Sequence, residues 1–206
     1  MRIIDITRTV EPNMPVWPGD PPVVIERLCN IEEHDCNVSS LCAGLHTGTH
    51  IDAPWHYVKE GKKASELDLS RFYGICKVFE IRKEGHIQKE DIKDLDIEQG
   101  DIVLFKTENS YIRNEKAFRE NYCGLAPDAA LELAEKRIKT VGVDYLSVEP
   151  FGGNGDVHRI LLKNDIAVIE GLDLFEAKPG RYLLSALPLK IEDVDGSPVR
   201  AVLIEI

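Results

Sequence analysis

The residues best suited to chemistry lie between Leu45 and His56, in the run L-H-T-G-T-H-I-D-A-P-W-H. His46, His50 and His56, half of the six histidines in the chain, stand there with Asp52. Imidazole nitrogen and carboxylate oxygen are the donors that hold Zn²⁺, Mn²⁺ or Fe²⁺. His46 and His50 are spaced i, i+4, which would place them on one face of a helix. The segment is a poor helix, however. Thr47 and Thr49 are β-branched, Gly48 separates them, and Pro54 pushes Ala53 out of helical geometry. A straight strand fails as well, because four residues at about 3.3 Å each would part the two Cα atoms by roughly 13 Å. The chain must therefore bend at Thr47-Gly48-Thr49, and Gly48 is the residue that permits the bend. His50 and Asp52, two apart in an extended piece, then point the same way. His46, His50 and Asp52 can converge on one ion. His56, just past Pro54, is placed to be a further ligand or an acid/base.

The elements that must position this run alternate between strand and helix. Strands are expected over Arg2–Thr7, Val23–Leu28, Asn37–Leu45, Gly74–Ile81, Ile102–Lys106, Thr140–Asp144 and Ile166–Ile169. Two more, Tyr182–Ile191 and Val199–Ile206, read as joined by a turn at Asp195-Gly196. The clearest helix is Ala126–Lys139, with Pro127 and Asp128 in its first turn and basic residues at its end. Shorter helices are expected over Ser65–Phe72, Ile87–Leu95 and Asp156–Asn164. Glu11–Pro22 carries five prolines and reads as a stiff loop, and Ser147–Gly155 as a second loop. Helix followed by strand is the rhythm of a parallel layer. Glu170 follows the apolar run Ile166–Ile169, at the carboxyl end of its strand, where open α/β sheets place their sites. Taken singly, Glu170 reads as a turn carboxylate, His158 as a capping residue at a helix start, and Trp17 as core filler.

Length and charge bound the function. A chain of 206 residues with 43% apolar residues can bury one sizeable core. The formal net charge of −11 argues against a nucleic-acid partner. No run is long and apolar enough for a membrane span, and Met1-Arg2-Ile3-Ile4-Asp5 lacks the features of a signal peptide. The five cysteines include no C-x-x-C pair and read as reduced thiols in a cytoplasmic protein.

The run H-T-G-T-H-I-D-A-P-W-H is similar to H-x-G-T-H-x-D-x-P-x-H, the signature of the cyclase-like metal-dependent hydrolases, a family that includes bacterial kynurenine formamidases (arylformamidases) and isatin hydrolases. Trp17-Pro18-Gly19-Asp20, Val141-Gly142-Val143-Asp144 with Ser147, Val157-His158 through Glu170-Gly171-Leu172, and Asp195-Gly196-Ser197-Pro198-Val199-Arg200 match it too. The resemblance implies an α/β fold of three layers, β/β/α and swivelling-domain-like, with a central mostly parallel sheet and a second antiparallel sheet. It treats residues 1–206 as one domain. It also implies that His158 and Glu170 join the ligands. His46, His50 and Asp52 would form one set and Asp52, His158 and Glu170 a second, around one or two Zn²⁺, with Mn²⁺ as the alternative. The ions would carry more positive charge than Asp52 and Glu170 return, so the pKa of a bound water would fall toward 7. His56, left free of metal, would be the acid/base that protonates the departing amine. Trp17 and Phe151 would wall an aryl pocket and Ser147 would contact substrate. The expected reaction is hydrolysis of an amide, with N-formyl-L-kynurenine the leading substrate and formate and L-kynurenine the products. The alternatives are hydrolysis of an isatin-type cyclic amide or a lactone, and a metal-binding protein without turnover. The expected partners are a small-molecule substrate and further copies of the chain in a homodimer or homotetramer.

Overall fold

The run Ile102–Lys106 is apolar at four successive positions, so both of its faces need cover. The structure, a computed structural model describing residues Met1–Ile206, supplies it on both sides. In chain order the elements are β1 (Ile3–Asp5), β2 (Val24–Cys29), the single turn α1 (Ile31–His34), β3 (Val38–Cys42), β4 (His50–Asp52), β5 (Tyr73–Glu80), the single turn α2 (Lys89–Ile92), β6 (Ile102–Lys106), α3 (Pro127–Glu135), β7 (Thr140–Val143), α4 (Asp156–Lys163), β8 (Ala167–Glu170), β9 (Gly180–Ser185), β10 (Gly196–Pro198) and β11 (Val202–Glu205). Nine strands form one sheet in the order β1-β11-β9-β5-β6-β7-β8-β4-β10. The centre, β5 to β8, is parallel, and every other pairing is antiparallel.

Alternation along the central strands sorts two cores. Val103, Phe105, Val141 and Val168 pack with Ala130 and Leu133 of α3 and Leu161 of α4. Ile102, Leu104 and Ile169 face the other way, into a core shared with Ile4 of β1, Leu184 of β9 and Leu203 of β11. The antiparallel flank thus folds over the face opposite the helices. The result is the expected α/β arrangement of helices, parallel strands and antiparallel strands, reached through one continuous, curled sheet. Only β2 and β3 form a sheet of their own, an antiparallel hairpin.

Several elements are shorter than the periodicity suggests. The expected helix over Ala126–Lys139 ends at Glu135. Arg137 takes the left-handed conformation at φ 55°, and Ile138 N donates back to Leu133 O. That closes the helix with the bond pattern of a glycine cap and turns Ile138 into the core ahead of β7. Ile87 cannot begin a helix, because it bridges Leu125 in a parallel pairing, which leaves only Lys89–Ile92. Ser65–Phe72 resolves into two 3-10 turns, Ala64–Glu66 and Leu69–Arg71. Asp195-Gly196 is not a hairpin turn: Gly196–Pro198 is the separate strand β10, laid beside β4. Without it β4 would be an edge strand with unpaired backbone groups.

Candidate metal centre

The bend read from the sequence is present, and two glycines make it possible. Gly48 adopts φ +67°. Gly171, also at φ +67°, passes so close that a Cβ there would lie 1.9 Å from the Gly48 carbonyl oxygen. Thr49 Oγ1 donates to Gly171 O at 2.6 Å and accepts from Arg8 N at 2.8 Å, sealing the bend against the end of β8. Beyond it, β4 lies between β8 and β10, with His50 opposite Glu170 and Asp52 opposite Gly196. Directly opposed residues share a face, so His50, Asp52 and Glu170 meet on one side of the sheet. His158 comes from the first turn of α4, where Glu149 accepts from the backbone N–H of Gly155 and Val157 at 2.7 and 3.1 Å. The same carboxylate lies 3.0 Å from His158 Nδ1 and aims the other nitrogen inward.

The donor atoms form two overlapping groups that share Asp52. His46, Asp52 and His56 make one, and His50, Asp52 and Glu170 the other, with donor atoms within 4.8 Å of one another in each. His46 Nδ1 is 2.9 Å from Asp52 Oδ1. His50 Nε2 is 3.2 Å from Glu170 Oε2 and 3.5 Å from Asp52 Oδ1. His158 Nε2 is 3.2 Å from Glu170 Oε1 and 3.7 Å from Asp52 Oδ2. His50, Asp52, His158 and Glu170 are all buried. Two of these buried atoms, His50 Nε2 and Asp52 Oδ2, make no aligned hydrogen bond, His50 Nε2 despite its 3.2 Å approach to Glu170. A buried acceptor left without a partner costs about 1–3 kcal/mol, and a charged carboxylate oxygen more, unless something cationic meets it. Facing lone pairs from imidazole and carboxylate are what a divalent cation accepts, so the residues present fit such an ion. The sequence pairs His46 with His50. The structure sets His50 nearer Glu170, and brings His56 within reach of Asp52.

A cavity of about 140 Å³ opens on this cluster. His46, His56, His158 and Glu170 line it together with Trp17 and Ser147. Phe151 does not line it: its ring stands behind, with its centroid 5.6 Å from that of Trp17. Asp20, Leu146 and Tyr57 complete the wall, the Tyr57 ring stacked on His158 at 4.3 Å.

The family model described as "Putative cyclase" matches residues 4–150. The chain belongs to this family. That match spans the bend and Glu149 but stops short of His158 and Glu170. Full-length relatives carry the likeness through both. The chain is 38% identical over 208 residues to the kynurenine formamidase of Erythrobacter litoralis, covering 100% of this chain and 94% of that protein. A solved structure from Bacillus stearothermophilus, described as a predicted metal-dependent hydrolase, is 37% identical with a TM-score of 0.86, covering 98% of this chain and 97% of that one. Isatin hydrolase A of Ralstonia solanacearum, at 23% identity, shares the fold, with a TM-score of 0.87 over 99% of this chain and 92% of that one.

In this cyclase-family chain the carboxylates around the imidazoles dominate the electrostatics. Burial opposes a charged His46, but Asp52 and Asp195 outweigh it and raise its pKa to about 9. Burial likewise opposes a charged His158, and Glu149 and Glu170 raise it to about 10. Burial works to raise Asp52, Glu149, Glu170 and Asp195, yet the neighbouring imidazoles hold all four below the usual carboxylate range. Without metal, imidazolium ions supply the positive charge that the carboxylates demand. Groups whose pKa rises on folding stabilise the protein fully below their unfolded value, about 6.5 for histidine, and lose that contribution as pH climbs through the folded value. The melting temperature of chelator-stripped protein should therefore fall between about pH 7 and 10. Metal-loaded protein, in which ligating imidazoles would be neutral donors, should show a flatter profile. Equal slopes in thermal melts of the two forms would contradict this electrostatic account.

Two carboxylates of the site, Glu149 and Asp195, are not among the site residues expected from the sequence. Asp195 Oδ2 lies 3.0 Å from His46 Nε2 and 3.1 Å from His56 Nδ1. The signal was present in part, since Asp195-Gly196 belongs to a stretch that matches the family. Read as a turn, it showed nothing of its contact with histidines far away in the chain. Tyr57 and Asp20 carry no spacing signal of their own.

Proposed function

We propose that this protein is a metal-dependent amide hydrolase acting on aryl formamides, with N-formyl-L-kynurenine as substrate. The observation that carries the reading is the orphaned pair His50 Nε2 and Asp52 Oδ2 in a buried donor cluster that opens on an aromatic-walled cavity. The 38% identity to a kynurenine formamidase over the whole chain supports the substrate class. His46, His50, Asp52, His158 and Glu170 would hold the metal, Zn²⁺ in the first instance, with Asp52 shared if two ions bind. When bound, the ion supplies Lewis acidity, acidifying water and polarising a carbonyl. The protein's own groups do the rest. Burial of Asp52 and Glu170 keeps bulk water from competing for the donors. Trp17 offers a flat face to an aryl ring, and Ser147 a hydroxyl at the cavity wall. In the reaction, water oxygen bonds to the formyl carbon, the C–N bond breaks, and the aniline nitrogen takes a proton. His56, part-buried on the cavity wall, is the group that takes up on Nε2 the proton given up by the attacking water and passes it to the aniline nitrogen.

Ring opening of an isatin-type cyclic amide needs the same groups, and the fold likeness to isatin hydrolase A keeps it as the second reading. The two are separated by their products: a formamidase releases formate, whereas opening a ring releases nothing. Zinc- or manganese-reconstituted protein should release formate from N-formylkynurenine in a coupled formate dehydrogenase assay, with isatin and simple lactones turned over more slowly. Isatin turnover above formylkynurenine turnover reverses the assignment, and absence of any turnover favours a metal-binding protein without catalysis.

We also propose that residues 1–206 work as one domain, because one sheet runs unbroken from β1 at one edge to β10 at the other. All five cysteines are free thiols, which supports the reducing conditions of a cytoplasm. No helix is long and apolar enough to cross a membrane. A homodimer is supported by the β2–β3 hairpin, whose Ile25, Leu28 and Leu41 are exposed. A lone two-stranded hairpin is marginal in water, and a second copy of the chain is its natural cover. Sedimentation at micromolar concentration should show a dimer or larger, and Leu41→Asp should shift it toward monomer. A monomeric parent protein rules the assembly out.

A further inference from the structure

We infer that Asp195 is a positioning residue that sets the tautomers of His46 and His56 at once, through a single oxygen. The inference rests, in its catalytic half, on the hydrolase reading above. Asp195 Oδ2 is 3.0 Å from His46 Nε2 and 3.1 Å from His56 Nδ1. The two rings stack with centroids 4.1 Å apart and planes inclined by 27°. An ionised carboxylate only accepts hydrogen bonds, so each ring must present an N–H to it. His56 is thereby held as the Nδ1–H form. His46, which lies between two carboxylates and holds a proton on each nitrogen in the stripped protein, is held as the Nε2–H form once a bound cation takes the place of its Nδ1 proton beside Asp52. That leaves His46 Nδ1, 2.9 Å from Asp52 Oδ1, with its lone pair toward the shared donor cluster. It also leaves His56 Nε2 without any claim from the protein, free for a proton in transit. One oxygen thus separates the tasks of two stacked imidazoles that would otherwise be interchangeable.

The backbone around Asp195 is built for this contact. Ala53 N donates to Asp195 O at 2.8 Å, and Gly196 pairs with Asp52 across β10 and β4. Any Cβ at position 196 would lie 2.6 Å from His46 Cε1. Asp195 grips the rings, and Gly196 makes room for one of them. This gives Asp195-Gly196 a reason that a turn does not.

The test begins with ¹⁵N-edited spectra of the histidine rings in zinc-loaded wild-type protein, which report tautomers without reference to turnover. His56 should appear as Nδ1–H and His46 as Nε2–H. The opposite form at His56 overturns the inference, whatever the variants do. Asp195→Asn offers an amide N–H as well as an oxygen, so one ring should flip or become mixed. Its kcat on N-formylkynurenine should fall by about 10²–10⁴-fold, the size of a general acid–base contribution, with KM little changed. Zinc affinity, measured by chelator competition, should weaken by about 10–100-fold, as for loss of an outer partner of a ligating histidine. In a His56→Ala background, Asp195→Asn should cost no further kcat at saturating zinc. An equal loss in both backgrounds, or unchanged zinc affinity, shows that Asp195 does not act through these rings. A wild-type protein inactive on formamides defeats the hydrolase reading, while the ring spectra and the zinc affinity still judge Asp195.

Discussion

Asp52→Asn is expected to remove metal and turnover together. Asp52 is fully buried, is common to both donor groups, and lies within 4 Å of a nitrogen of each of His46, His50 and His158. No other residue stands at the intersection. The amide keeps the shape but loses the charge, and one of its two terminal atoms becomes a donor where an acceptor was needed. Loss of an outer partner alone costs about 10–100-fold in metal affinity. Loss of a carboxylate common to both donor groups should exceed that range, and formamide turnover should fall in proportion to the metal lost. Raising the zinc concentration should restore little, because the missing charge is inside the cluster. Atomic emission on dialysed protein and a coupled formate assay on the same sample give both readings. Full metal content in a folded Asp52→Asn protein would falsify the shared role. In the stripped protein the same change should also flatten the fall of stability above neutral pH, since Asp52 is a main cause of the raised His46 pKa.

His56→Ala should behave differently: metal kept, fold kept, and kcat on an amide lower by about 10²–10⁴-fold. The structure sharpens this expectation, because it places His56 within reach of His46 and Asp52 as well as on the cavity wall. Two roles are therefore in competition. A ligand would be missed in the metal analysis and would affect every substrate alike. A proton donor would be missed only where the leaving group needs a proton. An anilide nitrogen does, because its anion is a very poor leaving group, while the phenolate of an aryl formate does not. The ratio of formanilide to aryl formate turnover should thus drop sharply in His56→Ala. If metal content falls, or amide and ester lose the same factor, His56 belongs to the ligands. The contact of Nδ1 with Asp195 favours the proton role, since it leaves Nε2 uncommitted.

What could be read in the sequence followed from rules that act over a few residues. The need for a bend at Gly48 follows from the length of an extended chain and the poor helix propensity around it. The common direction of His50 and Asp52 follows from strand alternation. The strand–helix rhythm from Ile102 to Glu170 predicts the parallel centre of the sheet, and the apolar runs predict its two covered faces. The resemblance to the family brought in His158, which no local rule selects, and Glu170, which its place at the carboxyl end of a strand had marked only in part. Tertiary structure decided the remainder. Register between β4 and β8 put Glu170 beside His50, and register between β4 and β10 carried Asp195 to histidines 149 and 139 residues away. The same pairing made Gly196–Pro198 a strand where a turn was expected, because the free edge of β4 took its hydrogen bonds from whatever chain lay beside it. Ile138 was drawn out of helical periodicity by the core, and Ile87 by its bridge to Leu125. Local stereochemistry is written in neighbouring residues, whereas the partner of a buried carboxylate is chosen by how strands line up across the whole sheet.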